Sequence, residues 1–216
     1  MECLWFGNKE GSFFSFDDIS KTRRIKNVMY PLASPDDKKT KIPELQEGEK
    51  RILSVDIALL ASKKHNNDAS AIIINSALPM SNKTYKSNIV YIETHEGLTT
   101  DTLALIVRRL FEQYNCTDLA IDCAGVGVGV YDALIKDIYD ADYGVTYRAL
   151  TCKYDMVGTM EERCKIKDAL PVMWAIKANA DFNEKMNFSL RNAFQIGKIN
   201  LLINEFEGEE YLKSVN

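Results

Sequence analysis

A chain of 216 residues is long enough for one large domain or two small ones, since domains usually run to about 100–200 residues. Hydrophobic residues at 46% and charged residues at 27% follow the ordinary globular split, which excludes wholesale disorder. The net charge of −4 excludes a global basic field for nucleic acid or anionic membranes, so a polyanion would have to meet a local basic strip or a bound metal.

Residues 1–50 differ from the rest. They hold Trp5, Phe6, Phe13, Phe14 and Phe16, then basic Lys21, Arg23, Arg24 and Lys26, then a polar stretch containing Pro31, Pro35 and Pro43. This composition predicts an arm or linker, too aromatic for a disordered tail, whose rings pack on this domain or on a neighbour. The runs RILSVDIALL (51–60) and ASAIIINSAL (69–78) predict two strands joined by a broad polar loop, and SNIVYIET (87–94) a third, giving an antiparallel meander. Leu103, Ile106, Val107, Leu110, Phe111 and Tyr114 then recur at helical spacing behind Thr99, Thr100 and Asp101, which supply a cap and a favourable first-turn charge.

A short run TDLAID (117–122), a glycine-rich turn and a second helical stretch through Val130, Leu134, Ile135 and Ile138 follow, with Val145–Leu150 as a fifth strand. Strand, helix, strand, helix, strand predicts parallel crossover units, so the fold class is α/β: a mixed sheet of three antiparallel strands followed by parallel ones, with helices on both faces. Residues 158–182 read as helical, kinked or restarted at Pro171. Residues 184–196 read as a further helix closed by Gly197, with Ile199, Leu201 and Ile203 in strand-like alternation after it.

Five scattered cysteines (Cys3, Cys116, Cys123, Cys152, Cys164) without a CxxC pair argue against a disulfide framework or a zinc site and fit a reducing cytoplasm. Two histidines leave little room for histidine-based chemistry. With no apolar leader and no run of about 18 apolar residues, neither export nor membrane spanning is expected.

The chemistry centres on Asp56 in the first strand and Asp122 at the end of the fourth, each preceded by apolar residues. A carboxylate buried in such a strand carries a heavy desolvation cost unless a cation offsets it. If the fourth strand runs parallel to the first, the two lie about 4.8 Å apart, within reach of a shared metal cluster of the kind used in phosphodiester hydrolysis. A lone aspartate at a strand end is otherwise a turn former, and Asp68 reads either as a supporting metal ligand or as an Asx turn. Gly125, Gly127 and Gly129 match no phosphate-binding fingerprint; they mark a sharp strand-to-helix turn that would also let a phosphate backbone approach. Lys63, Lys64 and His65 after the first strand are a solvated run or a phosphate contact, and Lys153, Arg163, Lys165 and Lys167 form a second basic strip. His95 reads as structural.

The pieces SVDIA (54–58), NDASAIII (67–74) and LAIDCAGVGVGVYDALI (119–135), in this order and spacing, resemble the nuclease domain of phage terminase large subunits, in the ribonuclease H-like superfamily. The resemblance covers about residues 50–203, and WFGNKEGSFFSFDDI resembles the segment joining packaging ATPase to nuclease in these proteins. It implies an endonuclease that cuts concatemeric double-stranded DNA with two Mg²⁺ or Mn²⁺ ions held at Asp56 and Asp122. It also implies a packaging ATPase domain, a portal protein and a small terminase subunit as partners, no membrane, and the host cytoplasm as location. Residues 1–50 would then be the linker from an ATPase domain and 51–216 the nuclease domain. The family's third acid lies near the end of the domain. No matching stretch follows the last strand here, and Lys167, Asp168 and Ala169 echo it too early, so that ligand is expected beyond Asn216 in a longer protein. Other readings stay open: another ribonuclease H-like nuclease such as a resolvase or RNA–DNA hybrid hydrolase, or a non-catalytic docking module. An actin-like phosphotransferase would need a glycine-rich hairpin after its first acid, and IALLASKK has no glycine.

Overall fold

A computed structural model describes residues 13–58, 69–81 and 83–203. The arm contributes a short helix α1 (Phe16–Thr22) and a strand β1 (Arg23–Ile25). Next comes the expected meander, in which β2 (Lys50–Asp56), β3 (Ser70–Pro79) and β4 (Tyr85–His95) pair antiparallel in turn. Alternation sets its register: Leu53, Val55, Ile72 and Ile74 are buried on one face while Ile52, Ser54 and Ile73 are half-buried on the other.

Helix α2 (Thr100–Gln113) carries the chain back across the meander. Thr99 caps it by accepting from the Thr102 N–H at 3.2 Å, and Asp101 sits in the positively polarised first turn. Leu103, Val107, Leu110 and Phe111 are buried, each stabilising the fold by roughly 1.5–3 kcal/mol relative to exposure. The helix stops where Asn115 takes φ 48°, a left-handed conformation that asparagine tolerates, and the Cys116 N–H returns to the Phe111 carbonyl at 2.9 Å. The crossover then delivers β5 (Asp118–Asp122) parallel to β2, as the sequence pattern requires.

Beyond β5, helix α3 (Gly127–Leu134) buries Val130, Tyr131 and Leu134 beside α2, so both helices cover the Leu53/Val55 face. The fifth-strand expectation for Val145–Leu150 is corrected: the segment splits. β6 (Ile138–Asp140) and β7 (Val145–Tyr147) form a separate two-stranded ribbon, and β8 (Leu150–Asp155) enters the main sheet. Ile138, expected in the second helix, therefore opens a strand. The ribbon is anchored by Asp140, fully buried and bridged by Arg109 through bonds of 2.7 and 2.8 Å.

The expected helix over 158–182 is also overturned. Over 158–179 only a single 3₁₀ turn (Glu161–Arg163) is helical, and β9 (Leu170–Ile176) runs parallel between β5 and β8. A short apolar run has no periodicity that separates a central strand from a helix. Pro171 fits because it stands near the start of the strand, where the β8 ladder shifts register beside Thr151. Helix α4 (Ala180–Gln195) starts at the Asn179 cap and ends in a Schellman arrangement: Gly197 at φ 67°, its N–H on the Phe194 carbonyl and the Lys198 N–H on that of Ala193. β10 (Ile199–Leu202) then pairs parallel with β4 and with β1, completing an eight-stranded order β1-β10-β4-β3-β2-β5-β9-β8.

The aromatic arm packs on this domain. Phe13 meets Phe14 and Phe188 edge-on at 5.1 and 5.2 Å, and Phe14 meets Phe194 at 6.0 Å. Further along, Ile25, Met29 and Ile42 pack against the core, and the Tyr114 hydroxyl donates to the Met29 carbonyl. Trp5 and Phe6 lie outside the described residues.

Candidate active site at the strand ends

Asp56 and Asp122 are the last residues of two adjacent parallel strands. The register pairs Val55 with Ile121, both buried under α2 and α3, so the following residue on each strand turns to the opposite face. The two aspartates therefore stand side by side on one face, their backbones about 4.8 Å apart across the ladder. They occupy the carboxyl end of the sheet, where ligands bind in open α/β folds.

Their surroundings differ from the expectation of buried charge. Asp56 is exposed, and among the described residues its carboxylate has no hydrogen-bond or ion-pair partner. Asp122 is half-buried, and its Oδ1 accepts from the Ala124 N–H at 2.9 Å and, more weakly, from the Ala178 N–H at 3.5 Å. Desolvation thus exerts little pressure for a counter-ion here. Two adjacent hard oxygen donors, one of them oriented by the backbone, nevertheless suit Mg²⁺ or Mn²⁺, which bind through one or two carboxylates and keep several waters. No group of three or more His, Cys, Asp or Glu fit to hold a metal forms among the described residues.

The glycine turn after β5 holds this end together. A Cβ on Gly127 would stand 1.7 Å from the Asp122 carbonyl oxygen and 3.5 Å from Ile57 Cδ1, so bare glycine is what lets α3 begin directly against the strand. Gly129 abuts Thr100 of α2 in the same way, at 2.9 Å. Gly125 instead has φ 58°, is exposed, and has nothing near its Cβ direction. Of the two glycines considered for DNA contact, Gly125 faces open space and Gly127 is buried.

Among the basic candidates, Lys63 and Lys64 lie outside the described residues, as do His65 and Asp68. Lys165 is exposed on the segment that returns from β8 to the start of β9, away from the carboxyl end. Lys153, on β8, gives its ammonium to Asp118 Oδ1 at 2.6 Å. Arg163 pairs with Asp132. His95 bonds Glu93 at 2.9 Å and lines a cavity of about 460 Å³ with Pro31, Leu32, Arg109 and Tyr143, on the helix-covered face rather than the acid face.

Asp118 and Asp155 are acids whose roles only the structure displays. Asp118, at the start of β5, is buried and also accepts from Trp174 Nε1 at 2.8 Å and Thr117 Oγ1 at 2.9 Å. Burial pushes its carboxyl up, but bonds from Lys153, Trp174 and Thr117 outweigh it and hold the group below the usual range. Asp155, at the end of β8, pairs in register with buried Ala175 and so faces the helices, and it receives the N–H groups of Val157, Gly158, Met160 and Glu161. It is a loop cap rather than a third member of the pair. Its partners lie within six residues, whereas Lys153 and Trp174 lie 35 and 56 residues from Asp118, a separation that leaves no sequence signal.

No membrane-spanning helix occurs among the described residues. The sequence profile of the terminase RNaseH-like domain matches residues 54–180, a span that opens just before Asp56 and includes Asp122. No curated protein matches the chain. Among solved structures it is similar to the large terminase nuclease from thermophilic phage G20c with bound magnesium, at 11% identity over 84% of this chain and 72% of that one, with a TM-score of 0.44. The cobalt-bound crystal structure of that nuclease gives 12% identity, 91% and 77% coverage and a TM-score of 0.47. With over half of its length matched by the profile and an eight-stranded mixed sheet of the kind the motif order implies, the chain belongs to the terminase RNaseH-like domain family.

Proposed function

We propose that this chain is the metal-dependent endonuclease module of a genome-packaging terminase, hydrolysing phosphodiester bonds of double-stranded viral DNA. The observation that carries the reading is the side-by-side placement of Asp56 and Asp122 at the carboxyl ends of neighbouring parallel strands. Bound Mg²⁺ or Mn²⁺, as a pair of ions, would supply Lewis-acid stabilisation of the phosphoryl oxygens and lower the pKa of the attacking water. Asp56 and Asp122 would hold the ions, the Ala124 N–H orients one Asp122 oxygen, and exposed Gly125 leaves room for the DNA backbone beside the pair. Two carboxylates leave further coordination positions for water, substrate phosphate or another acidic residue.

Within this reading, residues 1–50 connect the nuclease to a packaging ATPase domain, and a portal protein and a small terminase subunit are its other partners in the host cytoplasm. The test is nicking of supercoiled plasmid in Mn²⁺. A longer protein that includes the family's third acid is expected to nick, and Asp56→Asn and Asp122→Asn within it to lose about 100-fold or more of the rate. That longer protein remaining inert under these conditions, or variants that cut at its rate, would refute it. The competing reading, a non-catalytic docking module, draws on the absence among the described residues of a three-membered ligand group. It predicts that inert result.

A further inference from the structure

The acid-bearing face carries a second feature. Trp174 pairs in register with Ala120 and Tyr154 with Trp174, so a tryptophan and a tyrosine stand on adjoining strands beside β5. Their rings lie 5.3 Å apart at 38°, and the residues are 37% and 53% exposed. Ala120 is two residues before Asp122 on the same strand and face, so the Trp174 backbone stands about 8 Å from that of Asp122, while its indole reaches toward Asp118 at the other end of β5.

The indole is held rather than left to rotate. Buried Asp118 takes the Trp174 indole N–H and the Lys153 ammonium on one oxygen, and Lys153 Nζ lies 5.8 Å from the Trp174 ring centre. A buried carboxylate thus fixes an exposed tryptophan, an arrangement that core packing does not call for. With its N–H engaged, the indole offers only its ring surface to a ligand. Its near cation is already neutralised by Asp118, so the site favours a flat aromatic group over a phosphate. A base inside a duplex hides its faces; one displaced from the stack exposes them.

We infer that Trp174, fixed by Asp118 and Lys153, and Tyr154 beside it form a stacking platform for an unpaired DNA base on the same sheet face as the Asp56/Asp122 pair. This rests on the nuclease reading for its substrate, but it is measured by binding alone. In a Trp5→Phe background Trp174 is the remaining tryptophan. In EDTA, a short oligothymidylate is expected to quench its emission saturably, and a blunt duplex of equal length to do so weakly. Trp174→Ala, followed by fluorescence anisotropy of labelled oligothymidylate, is expected to weaken binding about 5- to 150-fold, the loss associated with one stacked base. Tyr154→Leu, at an exposed position of an edge strand, should weaken it in the same direction, and Trp174→Phe should restore most of it. Asp56→Asn should keep the quenching while losing cleavage. Quenching by the longer protein when that protein never cuts would leave the platform standing and remove the nuclease reading. Unchanged affinity in both Trp174→Ala and Tyr154→Leu, with cleavage intact, would overturn the platform alone.

Discussion

Replacing Gly127 by alanine tests how the acid pair is built. The added Cβ would lie 1.7 Å from the Asp122 carbonyl oxygen and 2.9 Å from its carbon, so the clash is with strand backbone that has no rotamer to yield. Ordinary carbon–oxygen contact needs about 3.3 Å, and the missing distance must come from moving α3 away from β5 or bending the end of the strand. Overpacking of this kind costs about 1–3 kcal/mol, and a backbone obstacle places Gly127→Ala near about 3 kcal/mol. For a chain of this size that is a drop of about 6–12 °C in melting temperature. Gly125→Ala is the control, because its Cβ meets open space and only the positive φ is penalised, at about 1 kcal/mol. Urea denaturation of both variants measures the difference, and plasmid nicking reports whether Asp122 has moved. If Gly127→Ala costs no more than Gly125→Ala, the close approach described here is wrong.

Removing Asp140 leaves Arg109 without its buried partner, so Asp140→Ala should cost about 2–3 kcal/mol by urea denaturation, while Asp142→Ala, at an exposed carboxylate, should cost under about 0.5 kcal/mol. Hydrogen bonds from Arg109 chiefly hold the Asp140 carboxyl below the usual range. Its contribution is therefore complete above the unfolded value of about 3.9 and is lost as pH falls through the lower folded value. The urea midpoint should fall between pH 5 and pH 2, with a shallower slope in Asp140→Asn; parallel slopes would contradict the assignment. Thr99→Ala removes the α2 cap and should cost about 1 kcal/mol in thermal denaturation. Asp56→Asn should change stability by less than about 0.5 kcal/mol, since its carboxylate has no partner among the described residues.

The meander, the α2 crossover and the parallel return to β5 were legible because each has a clear period. An Ile-rich apolar run marks β3, and Leu103, Val107 and Leu110 mark one helical face behind a threonine cap. The positions of Asp56 and Asp122 followed from that topology. Their exposure did not, because an apolar strand does not reveal whether its last residue emerges from the sheet. The run LPVMWAI was misread since Trp174 puts a large ring on the face opposite Met173 and Ala175, which erases the alternation that would mark a strand. Val145–Leu150 hid a boundary between two sheets, set by the Arg109–Asp140 bridge across 31 residues. The Asp118, Lys153 and Trp174 cluster is likewise created by strand order, with each side chain unremarkable in its own segment.

Strand order also sets how the molecule bears load. The arm enters through β1, which holds the sheet only through β10, by a short ladder reinforced by the Ile203 N–H on the Ile25 carbonyl and by Arg23 on the Leu202 carbonyl. Between that attachment and β2 stand β10, β4 and β3. A pull on the N-terminal side meets the Phe13 and Phe14 contacts with α4 and then this outer seam, which can shear while the long β3/β4 and β2/β3 ladders keep their register.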